Sequence, residues 1–234
     1  MLARLCLNLR CGLLVLLILL LPAAGPALAA CNDGPAPGVN WSGCDKQKLI
    51  VKGRNLEGAR FEAADLTAST FSESNLARAI LVRANLTRAS FRAANLEGAD
   101  LGKAFGSRTR FSNARMAGAN LAKSELLRAD LTGTDLTGAD ISKAELSRAE
   151  LTGARLDGVS FVHANISRAN LAGASLAGVD LAGAYMYLTR IEGADLTQAR
   201  NLTTDQLEIA CGDETTKLPE GLSASPDWPC PPEE

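Results

Sequence analysis

Aromatic residues are scarce in this chain, making up 4% of its 234 residues: six Phe, two Tyr and two Trp. A conventional globular core of this length leans on such rings, and their scarcity, together with 21 glycines, argues against one. Histidine is almost missing, His163 being the only one, and no Cys or His pair has zinc-ligand spacing, so the sequence offers no catalytic residue, no cofactor site and no metal site. Ser and Thr are frequent but stand beside no base that would activate them. Long apolar runs are absent too. The stretch from Gly12 to Leu21 is about half of the roughly 20 residues that a spanning helix needs, so no transmembrane segment is expected in the mature chain.

That short run follows Arg4 and Arg10 and precedes the small-residue stretch Pro22 to Ala30, which reads as a signal peptide over residues 1–30. Export to the periplasm or beyond is the expectation. Two cleavage readings compete: Ala27-Leu28-Ala29 suits ordinary signal peptidase, whereas Leu28-Ala29-Ala30-Cys31 looks like a lipobox that would anchor a lipoprotein at Cys31. The mature chain keeps Cys31, Cys44, Cys211 and Cys230, an even number in an oxidising compartment, clustered at the two ends. Local disulfides Cys31 with Cys44 and Cys211 with Cys230 are expected, and a lipid on Cys31 would orphan Cys44.

What is abundant is a period. From Val51 to Leu196 every fifth residue is large and apolar except Gly106, and two residues before each sits a small one, usually Ala, as at Ala59, Ala64, Ala84 and Ala94. Neither a 3.6-residue nor a two-residue repeat places residues five apart on one face. The small residue and the large one, two steps apart, can both point inward from an extended segment. The three steps to the next small residue require a corner, and regular corners close a polygonal coil whose strands stack about 4.8 Å apart.

The phrases Ala64-Asp65-Leu66-Thr67-Ala68, Ala129-Asp130-Leu131-Thr132-Gly133 and Ala194-Asp195-Leu196 resemble the pentapeptide-repeat family. The resemblance implies an all-β solenoid, a right-handed quadrilateral β-helix with 20 residues per coil. Side-chain sorting supports that coil length independently. The corner position, two after each large residue, reads Arg88, Arg108, Arg128, Arg148 and Arg168 in one column and Arg83, Lys103, Lys123, Lys143 and His163 in its neighbour, while the other two columns are glycine-rich. Inside, Phe71, Phe91 and Phe111 recur at 20 and should stack as a ladder. Glycine suits a type II corner, with its positive φ; the basic corners are expected to turn differently.

Four segments follow: the signal peptide, an N-terminal disulfide-closed cap over 31–50, the β-helix over 51–200, and a C-terminal cap over 201–234. In the last, Thr203 and Gln206 form a capping-box signature for a short helix through about Ala210. Caps are needed because open coil ends expose strand edges; such an end is also where two copies would form a homodimer.

For function, the basic columns Arg88, Arg108, Arg128, Arg148, Arg168, Lys103, Lys123 and Lys143 are a candidate interaction strip for an unknown protein or polyanionic envelope partner. Glu125, Glu145, Asp130 and Glu150 lie near enough in the repeat to neutralise them instead. Tyr185, Tyr187 and Leu188 make a candidate apolar patch, which the C-terminal segment is expected to cover. Some members of the family resemble duplex DNA and act on topoisomerases, but that demands an acidic rod in the cytoplasm. Here residues 51–200 hold 19 basic and 16 acidic residues behind an export signal, and nucleic-acid binding is not expected. A polysaccharide-acting β-helix enzyme would need clustered carboxylates in a groove, which uninterrupted repeats do not supply. The expectation is a non-enzymatic binding or scaffolding module of the bacterial envelope.

Overall fold

Three features recur in the bends of the five-residue units. The carbonyl of the large residue accepts from the small residue three positions on, as in Ala64 N to Phe61 O at 3.0 Å and Ala94 N to Phe91 O at 3.0 Å, which closes a β-turn. The Asp or Asn before the large residue folds its Oδ1 onto the N–H two residues later, as in Thr67 N to Asp65 Oδ1 at 2.9 Å and Ser142 N to Asp140 Oδ1 at 2.9 Å, an Asx interaction that holds the turn open to the outside. The third residue of the turn has positive φ. The computed structural model describes residues 29–230; the expected signal peptide falls almost wholly outside that range.

The corners correct one expectation. Every fifth residue from Gly38 to Gly193 has φ between 52° and 69°, whether it is Gly, Ala, Arg, Lys, Asn, His, Glu or Leu. Arg128 at 55° and Lys123 at 61° turn the same way as Gly133 at 63°. The closing hydrogen bond recurs at nearly all of these turns, with Leu49 N and Arg54 N donating instead to Ser69 Oγ and Ser74 Oγ, and the corner keeps its sign of φ whatever the side chain.

Successive coils pair in parallel at an offset of 20, for example Asp65↔Asn85, Asn85↔Phe105 and Glu125↔Glu145. The inward amide of one rung donates to the next, as in Phe71 N to Ser90 O and Phe91 N to Arg110 O, both 2.7 Å. Four bridged positions per coil leave every large residue inside. Phe71, Phe91 and Phe111 are fully buried and stack with ring centroids 5.3 Å apart at each step, interplanar angles 9° and 12°. That is the vertical ladder expected from the sequence, and offset stacking of this kind adds to plain burial.

Gly106 is the break in the period, and the structure gives its reason. A Cβ there would meet Thr109 Oγ1 at 2.6 Å and the backbone carbon of Leu86 at 2.8 Å. Thr109, buried at the small-residue position, donates to Leu86 O at 2.9 Å. The backbone closes on the preceding rung at this point, leaving Phe105 outside at 44% exposure.

The coil reaches further toward the N-terminus than the sequence period does. Asn40↔Arg60 and Asp45↔Asp65 are bridged, Gly38, Gly43 and Lys48 take the corner φ, and Trp41 is buried edge-on to Phe61 at 5.7 Å. The boundary at residue 51 is therefore one of sequence pattern, hidden upstream by Lys46 at an inward position. Its ammonium lies 4.1 Å from the Trp41 ring centroid and donates to Cys31 O, a cation–π contact closing the open rung. The expected disulfide Cys31–Cys44 is present beside it, as is Cys211–Cys230 at the other end.

At the C-terminal end the helix α1 spans Thr204–Glu208, with the capping box of Thr203 and Gln206 in place. It is shorter than expected. The chain leaves the helix to rejoin the solenoid, Ile209 O accepting from Leu188 N at 2.6 Å and Cys211 bridging Arg190. Gln206 does more than cap: its Nε2 donates to Leu181 O and Ala184 O, both at 2.8 Å, a second bond for Leu181 O, which also closes its own turn with Ala184 N, and a partner for Ala184 O. Trp228 Nε1 donates to Ala210 O at 2.7 Å, and its ring occupies the space over Gly212, where a Cβ would come within 2.4 Å of it.

Candidate functional site

Corners define the faces. Residues 83 and 88 are consecutive corners, so the two basic columns are the two long edges of one face, with the outward residues of each rung between them. Along one edge stand Arg83, Lys103, Lys123, Lys143 and His163; along the other Arg88, Arg108, Arg128, Arg148 and Arg168. All are exposed except Arg168, which is half-buried. Rungs about 4.8 Å apart make each neighbouring pair of cations repel by about 0.8 kcal/mol in water.

Nothing on the face offsets that repulsion by direct pairing. The ion pairs among the described residues join Lys52 to Glu73, Arg60 to Glu62, Arg78 to Glu57, Arg115 to Glu97, Arg155 to Asp135, Arg190 to Glu192 and Lys217 to Asp195. None includes a column residue. The carboxylates with the right position in the repeat bond elsewhere: Glu145 accepts from Asn165 at 2.8 Å, Glu150 from Asn170 at 3.1 Å and Asp130 from the Thr132 N–H at 3.1 Å. Glu125 and Glu145 do stand exposed on the midline of the face.

The same face carries apolar side chains, Phe105 and Tyr185 on the midline and Leu127 and Tyr187 beside one edge. Phe105, Leu127, Tyr185 and Tyr187 are 44%, 44%, 52% and 43% exposed. Apart from Ile50, on another side, they are the large hydrophobic residues left in solvent among the described residues. The Tyr185 and Tyr187 rings lie parallel, 6.3 Å apart at 12°. The C-terminal segment was expected to cover them; among the described residues it does not, because it turns inward at Ile209 and Cys211 to complete the last coil, leaving only Leu188 half-buried.

Sequence reasoning missed Arg92 and Arg110, exposed and in none of the ion pairs, on the adjacent face that begins at Arg88 and Arg108, Arg110 at its middle and Arg92 at its far edge. The signal was available: Arg110 takes a place that Asp130 and Glu150 hold on later rungs. Among the described residues no group of His, Cys, Asp and Glu is placed to hold a metal ion, and no helix is long and apolar enough to cross a membrane.

Comparison with known proteins agrees with this architecture. The family model for pentapeptide repeats matches in 8 copies, over residues 55–92, 69–105, 89–126, 124–161 and 164–200. Among solved structures, a trypsin-treated variant of QnrB1, a plasmid-mediated fluoroquinolone resistance protein, is 20% identical with a TM-score of 0.50, covering 74% of this chain and 92% of that one. HetL, a pentapeptide repeat protein involved in heterocyst differentiation regulation in the cyanobacterium Nostoc sp. strain PCC 7120, is 26% identical with a TM-score of 0.29, over 79% of this chain and 86% of its own. A pentapeptide repeat protein of the Arabidopsis thaliana thylakoid lumen is 30% identical with a TM-score of 0.35, over 52% of this chain and 79% of its own. No curated protein sequence matches significantly. With the repeat model matched across more than half of its length and the coil offset of 20 present in its bridges, the chain belongs to the pentapeptide-repeat family.

Proposed function

We propose that the chain is a non-enzymatic binding module of the bacterial envelope whose working surface is the face between the two basic columns. The observation that carries this reading is the coincidence on one face of cations without ion pairs and of exposed apolar side chains. Surfaces selected only for solubility intersperse the two signs of charge and hide large apolar groups. The right-handed sense of the coil that the family implies, release by signal peptidase ahead of Cys31, and a periplasmic or secreted location belong to the same reading. The Cys31–Cys44 bond favours a free N-terminal cap over a lipid on Cys31.

The test is a charge reversal of Arg108, Arg128 and Arg148 to Glu. Glu73 already occupies a corner at φ 61°, so the backbone accommodates the change. Thermal melting is expected to stay within a few degrees of the parent, while capture of partners from envelope extract is lost. Equal capture by parent and variant would remove the face from consideration.

A further inference from the structure

We infer that this face docks on the surface of an anionic lipid bilayer, an inference that rests on reading it as the working surface. Cations alone would suit any polyanion, so the choice of occupant falls to the other side chains. Phe105 and Leu127 lie on rungs whose corners are Lys103, Arg108, Lys123 and Arg128, and Tyr185 and Tyr187 extend the same face one rung beyond His163 and Arg168. Aromatic rings favour the water–lipid boundary, and long basic side chains extend from there to headgroup phosphates while their stems stay in apolar surroundings. Leu127 is the telling residue. It offers a sugar or nucleotide no hydrogen bond and no ring to stack on, and it gains only by leaving water.

Shape points the same way. Coils follow one another at the constant offset of 20 from Asn40 to Arg200 with no inserted loop, so the face is a plane rather than a cleft. Linear ligands are gripped in concave sites; a plane matches a plane. Two features oppose docking: Glu125 and Glu145, exposed on the midline and flanked by Lys123 and Arg128 and by Lys143 and Arg148. They make a prediction of their own, because neutralising them removes repulsion from a negative surface without touching the cations.

The experiment uses the chain from Cys31 onward, which carries every bridged coil and both disulfides and none of the apolar run at Gly12 to Leu21. Sedimentation is measured with vesicles of phosphatidylcholine alone and of phosphatidylcholine with phosphatidylglycerol, and with polygalacturonate and polyglutamate as soluble competitors. Binding is expected to be about tenfold or more tighter to the anionic vesicles. It should weaken about tenfold when Phe105 and Leu127 are both changed to Ser, and strengthen severalfold in the Glu125→Gln, Glu145→Gln pair. Absence of vesicle binding overturns the inference, as does displacement by either soluble polyanion at equal charge, or indifference to the Phe105 and Leu127 changes. If vesicles fail while the triple charge reversal still abolishes partner capture, the lipid assignment falls and the docking face stands; if the reversal changes neither, both fall.

Discussion

A left-handed corner is free of strain for glycine and costs a side-chain-bearing residue about 1–2 kcal/mol. The solenoid uses Gly at the corners of two columns and Arg or Lys at most corners of the other two, all at the same sign of φ. Conformational preference therefore cannot explain the basic columns. Arg128→Gly, at φ 55°, relieves that strain but frees the unfolded chain by about 0.4–1 kcal/mol, so it is expected to raise unfolding free energy by a net of up to about 1 kcal/mol while weakening binding. Chemical denaturation of the variant checks the first half; a variant no more stable than the parent would mean that the strain at Arg128 does not exceed the freedom gained by the unfolded chain. At this scale the large-and-small alternation was legible from five-residue spacing alone, because interior position and side-chain size are locked together. The uniform corner was not, since residue type at a turn reports preference, whereas the hydrogen bond from Ala129 N to Leu126 O decides geometry. Gly106 was visible only as an irregularity; its cause, the approach of the Leu86 backbone, belongs to a different rung.

The C-terminal element shows what local patterning can and cannot carry. Thr203 and Gln206 announced a helix start, which the structure contains, but the end was set by Cys211 returning to pair with Arg190, a contact across 21 residues. Tertiary pairing overrode a helical continuation that the local residues would have allowed. Two carboxylates help to tie this element down. The Asp195 carboxyl falls from its ordinary 3.8 to about 2, chiefly through the Thr197 hydroxyl and then Lys217, and Asp213 falls likewise to about 2, chiefly through the Thr215 hydroxyl. Depressed values in the folded state mean that their contribution is complete above the ordinary value and disappears as pH drops toward 2. Acidification through that window is expected to fray the cap first. Amide exchange at Cys211 and Lys217 should accelerate before that at Phe91; simultaneous acceleration of all three would assign acid sensitivity to the coils instead.

Seen whole, the molecule is nearly one-dimensional, each coil touching only the coils before and after it, so its stability is a sum over neighbours with weak points at the ends. The disulfides sit at those ends, closing loops with sequence separations of 13 and 19, each worth about 3 kcal/mol against unfolding. Reduction is expected to open the solenoid from both ends inward, leaving the Phe71–Phe91–Phe111 ladder protected longest. Hydrogen exchange in reductant, read coil by coil, would show this as two advancing fronts. A single global loss of protection would contradict it.

The pairing offset of 20 has one more effect, on the order of events during synthesis. Asn85 N waits for Ala64 O, which precedes it, but Phe71 N waits for Ser90 O, which does not yet exist when Phe71 leaves the ribosome. Each rung is thus completed by the one that follows it, and a chain growing from its N-terminus can build the ladder in the direction it is made, never holding more than one unfinished layer at its leading edge.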